Sequence, residues 1–441
     1  MRVFLWKMNA FLWGAPALVL ILSVGLFLSI RLRFVQLTLL PKALKRFFSG
    51  LTGKDASGFR ALCTALAATV GTGNLVGVAG AICLGGPGAV FWMWLCGILG
   101  MVTKYAEAVL AVRYRIASED GFLGGPMYVM ELGLGNRWKP MAVCYSLFGL
   151  IASFGVGNAA QINSAVTGIR GIFPDIPEFL LGLALAAMIG SLLFGGAGTI
   201  GRAAETLVPF GAAGYILLCI GVLIFRLEDI PRAFTDIVRG AFSPGAVTGG
   251  LLGSGFRALR VGCSRGVFTN EAGMGTAAIA HGGAEVKHPV QQGLMGIVEV
   301  FLDTIVICTL TALVILTCGT EIPYGRDVGG ALTQRAFACV YGSWAVWFLT
   351  GALCLFAVAT VLGWGLYGAR CAQYLFGRKV WKCYAAAQSL MVLIGAMMDT
   401  ELVWQFSETV NGLMVIPNLI TLAVLSPEVV RLTKEYKESG T

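Results

Sequence analysis

Apolar runs of about 20 residues, the length a helix needs to cross hydrocarbon, follow one another along the chain and leave most of its charge to short loops. Inside hydrocarbon no water satisfies a peptide group, so each run must close its own backbone hydrogen bonds, and the α-helix is the spanning form that does so within one segment. About eleven spans are predicted on that length criterion, near residues 10–30, 59–83, 89–112, 141–168, 179–198, 207–225, 247–283, 292–317, 345–369, 383–398 and 402–425. Composition agrees. Of 441 residues 57% are hydrophobic, 12% are charged, and the mean hydropathy is +0.80, whereas a soluble domain carries roughly 25% charged residues. The expected fold class is an all-α membrane protein whose first partner is the lipid bilayer.

The formal charge of +9 does not indicate nucleic acid, because Lys and Arg are scattered over short loops with no basic stripe and interleaved aromatics. The 12 cysteines stand mostly alone in apolar runs and form no CxxC pair, so they read as small packing residues. No nucleophile-base pair, HExxH or cofactor motif suggests an enzyme. The basic cluster Arg31, Arg33, Lys42, Lys45 and Arg46 follows the first span, where a signal peptide carries its charge before the apolar run. Placing the Arg31 to Arg60 loop in the cytoplasm puts Met1 outside and Thr441 inside. Roughly twenty Lys and Arg then fall on the cytoplasmic side and about eight outside, as the positive-inside rule requires. This is the expected topology of a multi-pass plasma-membrane (bacterial inner-membrane) protein.

Two of the spans are interrupted near their midpoints, by GTGN at Gly71 to Asn74 and by NEAGMG at Asn270 to Gly275. Non-helical backbone at membrane depth survives only where it is buried in protein or lines a cavity, and the half-helix ends then face whatever occupies the gap. A small charged or zwitterionic cargo fits that description. Spacing also points to duplication: Gly71 lies about 18 residues before the next span and Gly273 about 19, and the gaps that follow are about 52 and 53. Five spans separate the equivalent helices, so the halves run in opposite directions, a 5+5 inverted repeat preceded by one extra helix. The expected division is 1–58 for the extra helix and basic loop, 59–226 for the first repeat, 227–245 for an extracellular amphipathic segment, 246–425 for the second repeat and 426–441 for a cytoplasmic tail.

Ionisable residues inside spans are functional or paired by default. Here they are Lys104, Glu107, Glu271, Glu299, Asp303 and Glu408, with Arg265 just outward of NEAGMG. Lys104 and Glu107, three apart, are expected to satisfy each other. Glu299 and Asp303 share a helix face and form either an ion or proton site or a pair with Arg265. Phe154, Asn158 and Gln161 share a face of the fourth span, available to the cavity or to interhelical bonds. His281 and His288 read as interfacial.

GTGNLVGVAGAICLGGPGAVFWMWLCGILGMVTKYAEAVLAVRYR, GGPMY at Gly124 to Tyr128, FTNEAGMGTAAIAH, HPVQQG, DTIVICT and NGLMVIPNL resemble the signature blocks of the alanine or glycine:cation symporter family, over nearly the whole chain. The resemblance implies a LeuT-like fold and symport of small neutral amino acids with sodium by one chain acting as the transport unit; proton coupling or, less favoured, a channel are the alternatives. It implies substrate contacts at Thr72, Gly73, Asn74, Gly273, Met274, Gly275 and Thr276, to which the residues themselves add Phe154, Asn158, Gln161 and Trp364. No cofactor is implied beyond Na+ as coupling ion. In the LeuT-like fold one sodium site lies between carbonyls near Ala67 and Val70 and two hydroxyls of the ninth span. There the chain departs from the family pattern, reading Val358, Ala359, Thr360, so Thr360 supplies one hydroxyl and Ala359 none. Thr69, Asn74 and Asp303 are candidates for a second ion site.

The topology has a direct test. In a cysteine-free background, an engineered cysteine at Lys45 is expected to react with a membrane-impermeant reagent only from the cytoplasmic face. Reaction in intact cells would reverse the orientation.

Overall fold

The computed structural model describes residues 8, 12–13, 15–53, 55–119, 121–243, 255–326, 328–398 and 400–439, with backbone alone at 15 and 400–408. The Glu408 side chain and the two chain ends therefore lie outside the described residues. The first helix, α1 (Ala15–Arg31), ends in a turn whose Arg33 and Phe34 have φ of 54° and 52°, a conformation rarely held by non-glycine residues. That turn delivers the amphipathic α2 (Leu40–Leu51).

Next comes the first broken helix, α3 (Ala56–Thr69) and α4 (Val78–Gly85), inclined by 50° across the GTGN break. After α5 (Gly88–Arg113) a two-residue-linked hairpin, β1 (Ile116–Ser118) and β2 (Gly121–Leu123), pairs antiparallel with Ile116 opposite Leu123. The helices α6 (Lys139–Phe154) and α7 (Ala160–Ile172) are joined by a wide turn at Gly155–Ala159, and α8 (Glu178–Phe194) and α9 (Gly196–Phe225) complete the first half. The amphipathic segment expected near Glu228 is helix α10 (Ile230–Phe242).

The second half begins with the other broken helix, α11 (Gly255–Asn270) and α12 (Thr276–Gly282). It continues through α13 (Pro289–Val300), a wide turn at Phe301–Cys308, α14 (Thr309–Thr317), α15 (Gly330–Tyr341), α16 (Trp344–Phe376), α17 (Trp381–Ala396) and α18 (Thr400–Val424), with α19 (Ser426–Glu438) closing the chain. The predicted spans have helical counterparts among the described residues, the stretch 247–254 lying outside them. The hairpin and α15 were not expected from the pattern of apolar runs. Both are short and polar or Gly-flanked, so they leave no trace at membrane-span resolution.

The two ends of the bundle differ. On the side of the basic loop the chain is sealed: Ser57 Oγ accepts the Glu285 amide at 2.8 Å, Gln292 donates to the Gly58 carbonyl at 3.3 Å, and Arg115 donates to the Ala284 carbonyl. At the other end the Gly325 amide reaches the Cys83 carbonyl at 2.9 Å and Thr333 Oγ1 reaches the Leu75 carbonyl at 2.8 Å. Between these contacts a vestibule of about 650 Å³ opens, lined by Gly73, Gly77, Gly168, Arg265, Phe268 and Gln334 among others.

Two glycines let α5 and α10 cross in contact: a Cβ on Gly88 would lie 2.0 Å from the Gly240 carbonyl carbon. Gly88→Leu is expected to eliminate monodisperse protein in size-exclusion chromatography, since no nearby side chain can yield to backbone overlap. Gly351→Ala, where the added Cβ meets nothing within 4 Å, should leave the elution profile unchanged.

Candidate functional site

At the first break the amide that a continuing helix would give to the Ala67 carbonyl is diverted. Val70 turns to an extended ψ of 99°, and the Gly71 N–H donates to Asn74 Oδ1 at 2.9 Å. Asn74 is held from the other side, its Nδ2 donating to Asp303 Oδ1 at 2.8 Å and to the Asp303 carbonyl at 3.2 Å. Thr304 Oγ1 donates to Asp303 Oδ2 at 2.9 Å. The Asn in GTGN thus replaces the helical partner of a glycine amide and ties the break to the α13–α14 turn. Gly71 itself leaves room for Thr360: a Cβ there would come within 2.7 Å of Thr360 Oγ1. That hydroxyl is buried without a hydrogen-bond partner, beside the break that follows α3.

The second break is tighter. Glu271, Gly273 and Gly275 have φ of 54°, 92° and 78°, so three left-handed residues within five turn the chain without helix. The amides of all three and the Glu271 carboxylate have partners. The amides of Gly273 and Gly275 donate to Glu107 Oε1 at 2.9 and 3.1 Å, and Asn418 Nδ2 bridges Glu107 Oε1 and the Gly273 carbonyl at 2.7 and 2.9 Å. Tyr145 Oη donates to the Met274 carbonyl at 2.8 Å. Glu271 accepts from Thr276 Oγ1 at 2.6 Å and from Trp364 Nε1 at 2.8 Å.

Between the breaks lies a chamber of about 10 Å³, lined by Ala68, Thr69, Gly71, Thr72, Gly73, Val156, Gln161, Phe268, Glu271 and Trp364. Such a volume holds about one water. Gly73 and Phe268 line both the chamber and the vestibule, so they form the partition between them. Glu271 brings a carboxyl group to the chamber, while Thr72 Oγ1 donates to Gln161 Oε1 at 3.0 Å across it.

The structure thus brings Thr72, Gly73, Gln161 and Trp364 to the chamber, with Thr276 one bond behind Glu271. Asn74 does not line the chamber and is held by Asp303 behind Gly71. Gly273, Met274 and Gly275 turn their polar groups toward Glu107, Asn418 and Tyr145. Phe154 packs on Tyr384 with ring centroids 5.6 Å apart, and Asn158 donates to the Gln388 carbonyl at 2.9 Å; both face α17. Thr69 Oγ1 returns to the Ala65 carbonyl of its own helix at 3.3 Å and does not meet Asp303.

Several expected pairings are replaced. Lys104 Nζ lies 3.2 Å from Glu299 Oε1, and His281 Nε2 lies 2.8 Å from Glu299 Oε2, with all three side chains fully buried. Glu107 is engaged with the second break and not with Lys104, because α13 brings a closer carboxylate to the lysine than its own helix does. Glu299 is therefore not partnered by Arg265, which lines the vestibule. His281 is buried, with Nδ1 2.6 Å from Gln292 Nε2. His288 instead caps α13, accepting the Val290 amide at 3.2 Å. Glu107, Asn418 and Tyr145 were not expected at the site. Their one legible signal was polarity inside an apolar span, and the i,i+3 spacing of Glu107 to Lys104 pointed elsewhere.

The profile of the sodium:alanine symporter family matches residues 1–441. The chain belongs to the sodium:alanine symporter family. It is 44% identical over 439 residues to the sodium/alanine symporter AgcS of Methanococcus maripaludis, covering 98% of this chain and 96% of that protein. To the probable sodium/glutamine symporter GlnT of Bacillus subtilis it is 37% identical over 433 residues, covering 97% and 89%. Among solved structures it is similar to MhsT in complex with L-phenylalanine, with a TM-score of 0.57 at 14% identity over 85% of this chain and 97% of that one. That likeness carries the fold alone. The symporter has the LeuT-like fold expected from its motifs, and it is a multi-pass amino-acid transporter and not an enzyme.

Gly73 touches the opposite broken helix, since a Cβ on it would lie 2.9 Å from Thr269 Cγ2. Gly73→Val is expected to reduce amino-acid uptake by at least tenfold, with protein still recovered from the membrane, because its branched side chain must enter either the chamber or α11. Wild-type uptake in the variant would show that this approach is not needed.

Proposed function

We propose that this chain takes up small neutral amino acids, alanine or glycine, together with sodium by alternating access. The observation that supports the reading is at Gly71: the buried, unpartnered Thr360 hydroxyl lies within 2.7 Å of where a Gly71 Cβ would stand, beside the break in the first helix. A hard cation is coordinated by oxygens of this kind, and a buried hydroxyl without a partner is otherwise unfavourable by roughly 1–3 kcal/mol. Ala67, Val70 and Thr360 would hold the sodium ion, with no hydroxyl from Ala359. Asn74 and Asp303 would form the candidate second ion site, from which the Thr69 hydroxyl is turned back onto its own helix.

The cargo zwitterion would place its carboxylate on the amides of Thr72 and Gly73. Its ammonium would face Glu271 and the carbonyls of the Asn270 to Gly275 stretch. Gln161 would orient the Thr72 hydroxyl, Thr276 and Trp364 would orient Glu271, and Phe268 would separate the occupied chamber from the vestibule. Gly273, Met274 and Gly275 then act through their backbone, while Phe154 and Asn158 brace α6–α7 against α17. A chamber that must widen to admit any cargo favours a methyl side chain over a long one. The sealed side is assigned to the cytoplasm of a plasma membrane, the transport unit to one chain, and residues 59–226 and 246–425 to the two repeats that rock about the chamber.

Uptake of labelled alanine into proteoliposomes, with a sodium gradient or a pH gradient imposed separately, tests this reading. Sodium-driven uptake with counterflow exchange is expected; sodium-independent uptake driven by protons would transfer coupling to Asp303 or Glu299, and flux without counterflow would indicate a channel. Ala359→Ser is expected to lower the sodium concentration for half-maximal uptake several-fold by restoring a ligand oxygen. Tighter binding of leucine than of alanine in thermal-shift titrations would contradict the small chamber.

A further inference from the structure

We propose that Glu107 is an internal stand-in for an anionic cargo group: it fills the amide pocket of the second break, which directs the cargo carboxylate to the first break and excludes cargo with two carboxylates. The proposal rests on the amino-acid transport reading above.

The geometry is that of a bound carboxylate. Glu107 Oε1 gathers three donors, the amides of Gly273 and Gly275 and the amide group of Asn418, at 2.9, 3.1 and 2.7 Å. Successive amides turned toward one point by left-handed residues form an anion-binding concavity, and Gly273 and Gly275 supply those residues. The pocket has no space for a further side chain of its own, since a Cβ on Gly275 would lie 2.5 Å from Pro126 Cγ and 2.7 Å from Asn418 Oδ1. Glu107 enters from α5, in the first half of the chain, and is 2% exposed. Its second oxygen, Oε2, has no hydrogen-bond partner, so a single oxygen makes all of the anchoring contacts.

The first break is different in charge. Its captured amide, that of Gly71, bonds the neutral oxygen of Asn74, and the nearest carboxylate, Asp303, bonds the Asn74 side-chain nitrogen and the Thr304 hydroxyl, with no backbone amide of the break among its partners. The chamber wall beside it is formed by Thr72 and Gln161. The three-donor pocket of the second break is therefore already filled by a protein carboxyl, whereas no carboxyl group bonds the Gly71 amide of the first. A cargo with one carboxylate has one place to put it. A second carboxylate, as in aspartate, would find its amide pocket taken and Glu271 lining the chamber, with like charges in low dielectric strongly unfavourable. Glu107 is accordingly a positioning residue that sets specificity for monocarboxylic amino acids.

The test uses the full-length purified transporter with Glu107→Ala and Glu107→Gln. Glu107→Ala leaves three converging donors unsatisfied and is expected to lower the melting temperature by on the order of 5 °C or more. Sodium formate should restore that loss saturably, with equal concentrations of sodium chloride as control, while leaving the wild type unmoved. In the same variant aspartate should become a competitor of alanine uptake, at least tenfold more effective than in the wild type. Glu107→Gln keeps an acceptor oxygen at the convergence point and should be recovered at wild-type yield, with stability near wild type and no response to formate. It decides the question if Glu107→Ala does not fold.

A wild-type melting temperature for Glu107→Ala, no formate response in it, or a Glu107→Gln protein as unstable as Glu107→Ala would each overturn the proposal. Formate binding involves no cargo. A wild type that fails to take up alanine would thus refute the transport reading and leave the Glu107 assignment to be judged by formate alone.

Discussion

A peptide group in hydrocarbon must find a partner inside the protein, and the two broken helices concentrate that demand at one depth. Everything around the chamber answers it. Asn74 replaces the missing helical acceptor for Gly71, and Glu107, Asn418 and Tyr145 serve the amides and carbonyls of Gly273 to Gly275. These partners come from α5, α6 and α18, so satisfying a few backbone groups binds helices from distant parts of the chain to the break. Groups left unserved are then conspicuous. The Thr360 hydroxyl beside Gly71 is one of them.

Charge is handled with the same economy. Lys104, Glu299 and His281 form a fully buried chain that ends on Gln292 and the Gly58 carbonyl. Removing one member of such a chain leaves an uncompensated buried charge, worth about 3–5 kcal/mol, so α5, α12 and α13 are held as a unit on the sealed side. The open side has apolar and glycine-rich walls around the vestibule and no comparable buried ion chain among the described residues. The asymmetry places the buried ion chain at one end and the partition of Phe268 and Gly73 toward the other.

Much of this was legible in the sequence, for definite reasons. Span length and the glycines of GTGN and NEAGMG report on hydrocarbon thickness and on backbone geometry, both of which act locally. They indicated the helix positions and the two breaks with Thr72 and Gly73, while Gln161 was reached from helical spacing in its own span and Thr360 only through the family resemblance. The partners of the charged residues were not legible. Lys104 has a carboxylate three residues away on its own helix, and helical spacing favours that pair, yet α13 brings Glu299 closer and α11–α12 claims Glu107 for its amides. Asn158 and Phe154 share a face with Gln161, but the wide turn at Gly155–Ala159 rotates that face, so Gln161 reaches the chamber while the other two meet α17. Which helix faces which is a long-range property, and periodicity within one segment carries no record of it.

If an ion at Thr360 and a zwitterion on the adjacent Thr72 and Gly73 amides share one break, their binding energies must be coupled, and linkage makes the coupling reciprocal. Isothermal titration of the purified transporter measures this directly. Alanine affinity is determined across sodium concentrations, and sodium affinity with and without saturating alanine. The account predicts that each ligand tightens the other by the same factor, on the order of tenfold or more. Alanine binding indifferent to sodium would contradict it.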